Sequence, residues 1–342
     1  MADGSFSPAA IPPAFPKSDP YDAIDLRPLT TSELIDRGFA LYRRHFTGLL
    51  LLALLSQAAP LLVQVAITKL HLYPSQSELM APSLRTLGDS AAVMLLVLLA
   101  QVAIFGFEVV MTFYVADAYL GQAPSVTSSF RRFGGRFLAS LWTCVLNRIL
   151  YAVTLVFPLL ALVAVEFWYV AHPPASFGAL LFFAGATLVL LVASVAPILI
   201  VVMRLMVTVP ALALEGLSGW AAVRRSSALV RYDPGLGFLY WGEMRLSFLL
   251  LPLFVIELLT STLTSVPMIL AQVNDAVRHG SGSQFATPSD AVVIGSQILT
   301  YFAGALIVPL YTIATTLFYY DVRIRREGFD LEFMAGRLEK SA

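Results

Sequence analysis

"TGLLLLALLSQAAPLLVQVAIT" occupies residues 47–68 and carries no charged side chain. At about 1.5 Å of rise per residue, a helix of this length covers about 33 Å, enough to cross a hydrocarbon core of about 30 Å. Five more runs are apolar over comparable or greater lengths, at 91–114, 137–169, 177–209, 238–270 and 291–319. The expected fold is therefore all-α: a polytopic helical membrane protein with about six transmembrane helices. The third, fourth and fifth runs exceed the minimum span, so they are expected to tilt or to bend at Pro158, Pro197 and Pro252.

Composition agrees. Of 342 residues, 58% are hydrophobic and only 13% charged, against about 25% charged in soluble domains. Mean hydropathy is +0.78. A net charge of zero offers no basic face for nucleic acid. Cys144 is the only cysteine, which excludes an internal disulfide and a multi-cysteine metal site. Residues 1–29 lack the basic start and apolar core of a signal peptide, and their six prolines predict an extended, disordered tail. A six-span membrane domain is expected over 30–320 and a charged tail over 321–342.

Lys and Arg orient the spans. One side collects Arg37, Arg43, Arg44, Arg131, Arg132, Arg136, Arg224, Arg225, Arg231, Arg323, Arg325 and Arg326, and the other holds Lys69, Arg85 and Arg278. The positive-inside rule then places both termini in the cytoplasm, with 70–90 and 271–290 outside. Trp168 and Tyr169 are expected at the outer boundary, and Tyr319 and Tyr320 at the inner one.

Before the first span, TSELIDRGFALYRRHF reads as a short amphipathic helix. Thr30 caps it, Glu33 returns the hydrogen bond, and Leu29 packs on Leu34. The stripe Ile35, Phe39, Tyr42, Phe46 recurs before the third span as Val126, Phe130, Phe133, Phe137. A looser form, Trp220, Val223 and Val230 backed by Arg224, Arg225 and Arg231, precedes the fifth. "ADAYLGQAPS" at 116–125 and "ALALEGLSG" at 211–219 rhyme where spans return. These features suit three repeats of a unit made of a surface helix, a span out and a span back. Any interfacial helix needs a stripe and arginines, so shared interfacial chemistry accounts for the spacing as well.

"ELIDRGFALYRRHF" at 33–46, "PALALEG" at 210–216 and "YYDVRIRREGFDLE" at 319–332 resemble the bacterial glycerophosphoryl diester phosphodiesterase membrane-domain family and its uncharacterised relatives. The resemblance spans nearly all of 31–333 and implies a six-span bacterial inner-membrane protein close to lipids or their head groups. Members that are phosphodiesterases carry their catalytic histidines and acids on a separate soluble barrel of about 250 residues. This chain spends its length on spans, so no catalytic residue is carried over.

No phosphate-binding glycine loop, paired-histidine zinc motif or serine elbow occurs, and no cofactor is implied. His71, His172 and His279 fall on one side without ligand spacing. Ionisable groups inside spans are the stronger signal, since each costs at least about 2.5 kcal/mol at the bilayer centre. Arg148, Arg204 and Arg245, with Glu108, lie at similar depth in four different spans and form a candidate polar or anion cluster. Spare guanidinium groups there suit a lipid phosphate. A structural arrangement uses the same residues, with Arg204 snorkelling and Arg148 paired to Glu108 or Asn147. At the end of the chain, the sixth span is expected to stop near Tyr320. Asp321 would then meet water, and Arg323, Arg325 and Arg326 would face anionic lipid. Gly328 permits a turn that brings Glu327, Asp330 and Glu332 back to Arg43, Arg44, Arg131 or Arg224, burying Phe329, Leu331 and Phe333. A solvated tail is the alternative.

The function expected from these features is a non-enzymatic interaction or lipid-handling module. Membrane lipids are its expected partners, together with a soluble or membrane protein. The alternatives are a transporter or permease subunit for an amphiphilic or anionic substrate, favoured by proline-interrupted spans, and an intramembrane phospholipid enzyme.

Overall fold

The computed structural model describes residues 26–72, 83–171, 176–231, 242–279, 289–331 and 335. The tail before residue 26, His172, Glu332 and Phe333 lie outside the described residues. Among the described residues every regular element is a helix. α1 (Thr31–Arg44) leads into α2 (Phe46–Lys69), and α3 (Leu84–Tyr119) returns. α4 (Val126–Gly134) precedes α5 (Phe137–Ala171), and α6 (Phe177–Leu205) returns into α7 (Thr208–Glu215). α8 (Trp220–Val230) precedes α9 (Gly242–His279), and α10 (Asp290–Glu327) returns. By length and hydropathy six helices can cross a membrane: α2, α3, α5, α6 with α7, α9 and α10. The chain is a multi-pass helical membrane protein.

α1 starts as its sequence requires. Glu33 N–H donates to the Thr30 hydroxyl at 3.3 Å, and Thr30 N–H donates to the Glu33 carboxylate at 2.8 Å. Leu29 and Leu34 are both buried in the main core. The Arg27 and Thr30 hydrogen bonds hold the Glu33 carboxyl down at about 2. The buried face differs from the expected stripe. α1 buries Leu34 and Gly38, while Phe39 and Phe46 are exposed. Gly38 packs on α10, where a Cβ would stand at ordinary contact distance, 3.5 Å, from Ile313. Likewise α8 buries Val223 and Val230 but exposes Trp220. Apolar side chains at a membrane interface need no protein partner, so apolar spacing alone does not choose the packed face.

The expected fourth span breaks at Met206–Val207. A continuous helix would need the Pro210 N–H for the Met206 carbonyl, and the ring would clash with that carbonyl. In the first turn of α7 neither problem arises. Pro60, Pro158, Pro197, Pro252, Pro267 and Pro309 all sit inside continuous helices.

The spans pair within units as α2–α3, α5–α6 and α9–α10. Between units, each outgoing span packs on the returning span of the unit before it: α5 on α3, α9 on α6, and α2 on α10. The surface helices follow the same order, with α4 on α3, α8 on α6 and α7, and α1 on α10. The third unit thus closes on the first, and α3, α7 and α10 meet one another inside the ring. Each returning segment stops at a left-handed glycine, Gly121, Gly216 or Gly328, a conformation that costs other residues a Cβ clash.

Candidate functional site

The sixth span does not stop at the tyrosines. α10 runs on to Glu327, Tyr319 and Tyr320 are buried, and Asp321 is 1% exposed. Instead of water, Asp321 meets three partners. The Leu29 N–H donates to its Oδ1 at 2.7 Å, Arg245 donates to Oδ2 at 2.8 Å, and Arg325 Nε lies 3.0 Å from Oδ2. Arg245 and Arg325 also donate to the Leu29 carbonyl, at 3.1 and 2.5 Å. A carboxylate without water is tolerable only when its lone pairs are filled by such charge-assisted donors. The cap of α1, the start of α9 and the end of α10 are tied here.

A second knot joins α7, α8 and α10. Arg225 donates to Glu215 at 2.8 Å and to Glu327 at 2.7 Å, and Arg323 Nε donates to Glu327 at 2.9 Å. The Tyr319 hydroxyl donates to Glu215 at 2.9 Å. The Glu327 hydrogen bond, with smaller help from Glu215, pushes the Arg225 guanidinium up, against the effect of burial. Arg132 pairs with Asp117, its Nη1 donating to Oδ1 at 3.1 Å, and stacks on the Phe113 ring. Two more arginines cap helix ends, where carbonyls lack intrahelical partners. Arg136 donates to the Leu212 and Ala213 carbonyls of α7, and Arg326 to those of Ala228 and Arg231 after α8.

The arginines of the terminal motif thereby all make hydrogen bonds to protein groups. Glu327 reaches Arg225 rather than the named Arg43, Arg44, Arg131 or Arg224. Past the Gly328 turn, Phe329 packs on Tyr320 and beneath Arg323, while Leu331 is 67% exposed and Asp330 half-buried. Glu332 and Phe333 fall outside the described residues. The signal for Asp321 was available as its spacing of four from Arg325 on one helix. Nothing local marked Leu29 or Arg245 as its other partners.

The four intramembrane residues do not share one site. Arg245 goes to Asp321, and Arg204 to Glu243 at 3.2 Å. Arg148 lies beside Cys144 and within electrostatic reach of Glu108, but no hydrogen bond joins it to the Glu108 carboxylate. On α5, Ser140, Cys144, Asn147, Arg148 and Tyr151 recur at helical spacing and turn toward α3, where the Gln101 carbonyl accepts from Cys144. Ser140 Oγ, Asn147 Oδ1 and Arg148 Nε are buried with no hydrogen-bond partner. A small void lies against Ser140, its other walls being the apolar Val102, Phe105 and Gly106 of α3, Phe133 of α4, and Phe137 and Leu141 of α5. Sequence reasoning named Glu108 and Arg148 but passed over Ser140 and Tyr151, whose polar stripe along α5 was legible.

Among the described residues no group of three or more His, Cys, Asp or Glu side chains is placed to hold a metal ion. No family model, curated protein or solved structure matches the chain.

Proposed function

We propose that the protein is a non-enzymatic interaction or lipid-handling module of the bacterial inner membrane, with both termini cytoplasmic. On this reading it is a membrane-domain relative of the phosphodiesterase-associated family, and its basic end rests on the anionic inner leaflet. One observation carries the reading. Each surface helix has an Arg–Arg pair, and in α4 and α8 the second member is held by an acid, Arg132 by Asp117 and Arg225 by Glu215. The first members, Arg131 and Arg224, are exposed, as is Arg43 of α1. Internal pairing in α4 and α8 leaves Arg131 and Arg224 outward, and α1 exposes both Arg43 and Arg44, each outward arginine worth about 1 kcal/mol against an anionic surface.

Native mass spectrometry tests the lipid contact. The parent should retain anionic phospholipid, and the Arg43→Gln, Arg131→Gln, Arg224→Gln triple variant should lose most of it. Equal retention would remove the proposal. Orientation has its own test in a Cys144→Ser background. Cysteines at Ser77 and Ser283, outside the described residues, should react with an impermeant reagent in intact cells, and one at Ser218 should not. Labelling at Ser218 would invert the topology. The transporter reading is favoured by the unpartnered Arg148 and Asn147 atoms between α3 and α5. Flux of an anionic amphiphile into reconstituted vesicles, lost in Arg148→Leu, would put it first.

A further inference from the structure

By helical spacing, Glu257 belongs to the face of α9 that packs on α10. Leu246, Leu250 and Leu253 precede it on that face and are buried. Thr264 follows it, 4% exposed and joined to Thr300 of α10 at 3.0 Å. Between these buried neighbours Glu257 is exposed. It stands about 22 Å along α9 from Gly242, near the middle of that span. The Tyr311 hydroxyl of α10 donates to its Oε2 at 2.8 Å. Among the described residues that is its only hydrogen-bond or ion-pair partner, and its Oε1 accepts no hydrogen bond. Acids inside spans ordinarily turn into the bundle and meet a cation there. Glu257 does neither.

An apolar groove approaches this acid along the same seam. Its walls include Leu249 and Leu253 of α9 and Leu310 and Ile313 of α10, with Ile35 and Phe39 of α1 over them. No polar or charged side chain lines it. Pro252 and Phe39, also in its lining, are exposed, so the groove opens at the side of the bundle. Glu257 is one turn beyond Leu253, about 6 Å along the axis, and Tyr311 directly follows Leu310. Phe254, 57% exposed, stands one turn before Glu257 and offers a ring face to a cation. At the other end of the groove, Leu249 is one turn from Arg245, which directs a positive head group toward Glu257. Apolar walls suit a hydrocarbon chain, and a carboxylate that no protein cation meets suits a positive charge.

We propose that the α9–α10 seam binds a single-chain lipophilic cation, its hydrocarbon chain in the groove beneath α1 and its ammonium on the Glu257 carboxylate. Tyr311 holds that carboxylate at the mouth of the seam and leaves Oε1 for the ligand. The site is separate from the outward arginines of the surface helices, and its ligand has the opposite charge to the lipid proposed there.

The probe is radiolabelled dodecyltrimethylammonium, dialysed against the purified full chain in phosphatidylcholine nanodiscs, with empty nanodiscs subtracting uptake by lipid. Binding to the parent should saturate at an equimolar ratio, and Glu257→Gln should weaken it at least about tenfold. Ile35→Trp, which fills the groove from α1, should weaken it as well. N-dodecylacetamide, neutral and with the same chain, should compete at least about tenfold less well than unlabelled ammonium, a measurement that needs no variant. Uptake that never saturates, equal affinity in either variant, or equal competition by the amide would overturn the proposal. A second chain that co-purifies with the parent and is lost from Glu257→Gln, in place of ammonium binding, would give the carboxylate to a partner's helix and overturn it too. The Arg43→Gln, Arg131→Gln, Arg224→Gln triple variant should bind the ammonium as the parent does, so this inference and the lipid contact fail separately.

Discussion

At the arginine-rich end, Asp321 is 1% exposed and both of its oxygens accept hydrogen bonds. In the α3–α5 seam, Arg148 lies within electrostatic reach of Glu108 without a hydrogen bond to it, and Arg148 Nε, Asn147 Oδ1 and Ser140 Oγ have no partner. The residue chemistry is the same and the outcome opposite. Asp321 receives donors from three separate places: the backbone before α1, the start of α9, and its own helix one turn on. Each can adjust independently. Glu108 and Arg148 each stand on one of two spans, and no third element brings a donor to Glu108 among the described residues. Convergence of several elements satisfies a buried charge, and a seam between two helices supplies fewer donors.

The largest effect should come from breaking the satisfied side. Asp321→Ala strands Arg245 and is expected to lower the unfolding free energy of the detergent-purified protein by about 3–5 kcal/mol. Arg325→Gln, whose side chain is 38% exposed, should cost far less. A small loss in Asp321→Ala would mean that the knot is ornamental and the contrast false.

On the open side, Arg148→Leu should cost about 2–3 kcal/mol by leaving Glu108 without a counter-charge. The Glu108→Leu, Arg148→Leu double variant should regain part of that loss. A double variant no better than the worse single one would show that the two residues do not interact. Arg204→Leu should fall below Arg148→Leu, at about 1 kcal/mol, because Arg204 is 36% exposed where it meets Glu243.

Arg225→Gln sharpens the comparison at the arginine-rich end, removing a partner that Glu215 and Glu327 share. A loss of about 1 kcal/mol is expected, with faster trypsin cleavage after Arg326 in limited proteolysis. Unchanged cleavage would detach the C-terminal turn from α8.

The smallest effect concerns His45, between α1 and α2. Burial and then Arg44 hold its pKa below the ordinary 6.5, so the folded state favours neutral imidazole. The unfolded chain binds more protons between the depressed value and 6.5, so this contribution is complete above about 6.5 and shrinks as pH falls. His45→Asn should flatten that arm of the thermal-stability profile. Equal slopes in parent and variant would place the acid sensitivity elsewhere.

The all-helical class, the six spans, the α1 cap and the turn at Gly328 were legible because each rests on residues close in sequence: apolar runs, Thr30 with Glu33, a glycine after a charged turn. The misreadings share one cause. Tyr319, Tyr320 and Asp321 carry the look of a membrane boundary, but α1, α9 and α3 pack around them and make that level of the molecule an interior. The apolar stripe of α1 was visible, yet the face that packs on α10 runs through Leu34 and Gly38.

Sequence by itself determined which six stretches are long and apolar enough to cross a bilayer, because transfer free energy is a sum over consecutive residues and needs no partner. It also placed arginines in rhyming positions at the head of each repeat. Only the tertiary structure decided which of them are consumed by acids, which cap carbonyls and which remain outside. Those outcomes depend on distances between helices far apart in the chain, Leu29 to Asp321 and Arg225 to Glu327. No local pattern encodes such a distance. The ring of three units sets it, by packing each outgoing span on the returning span before it.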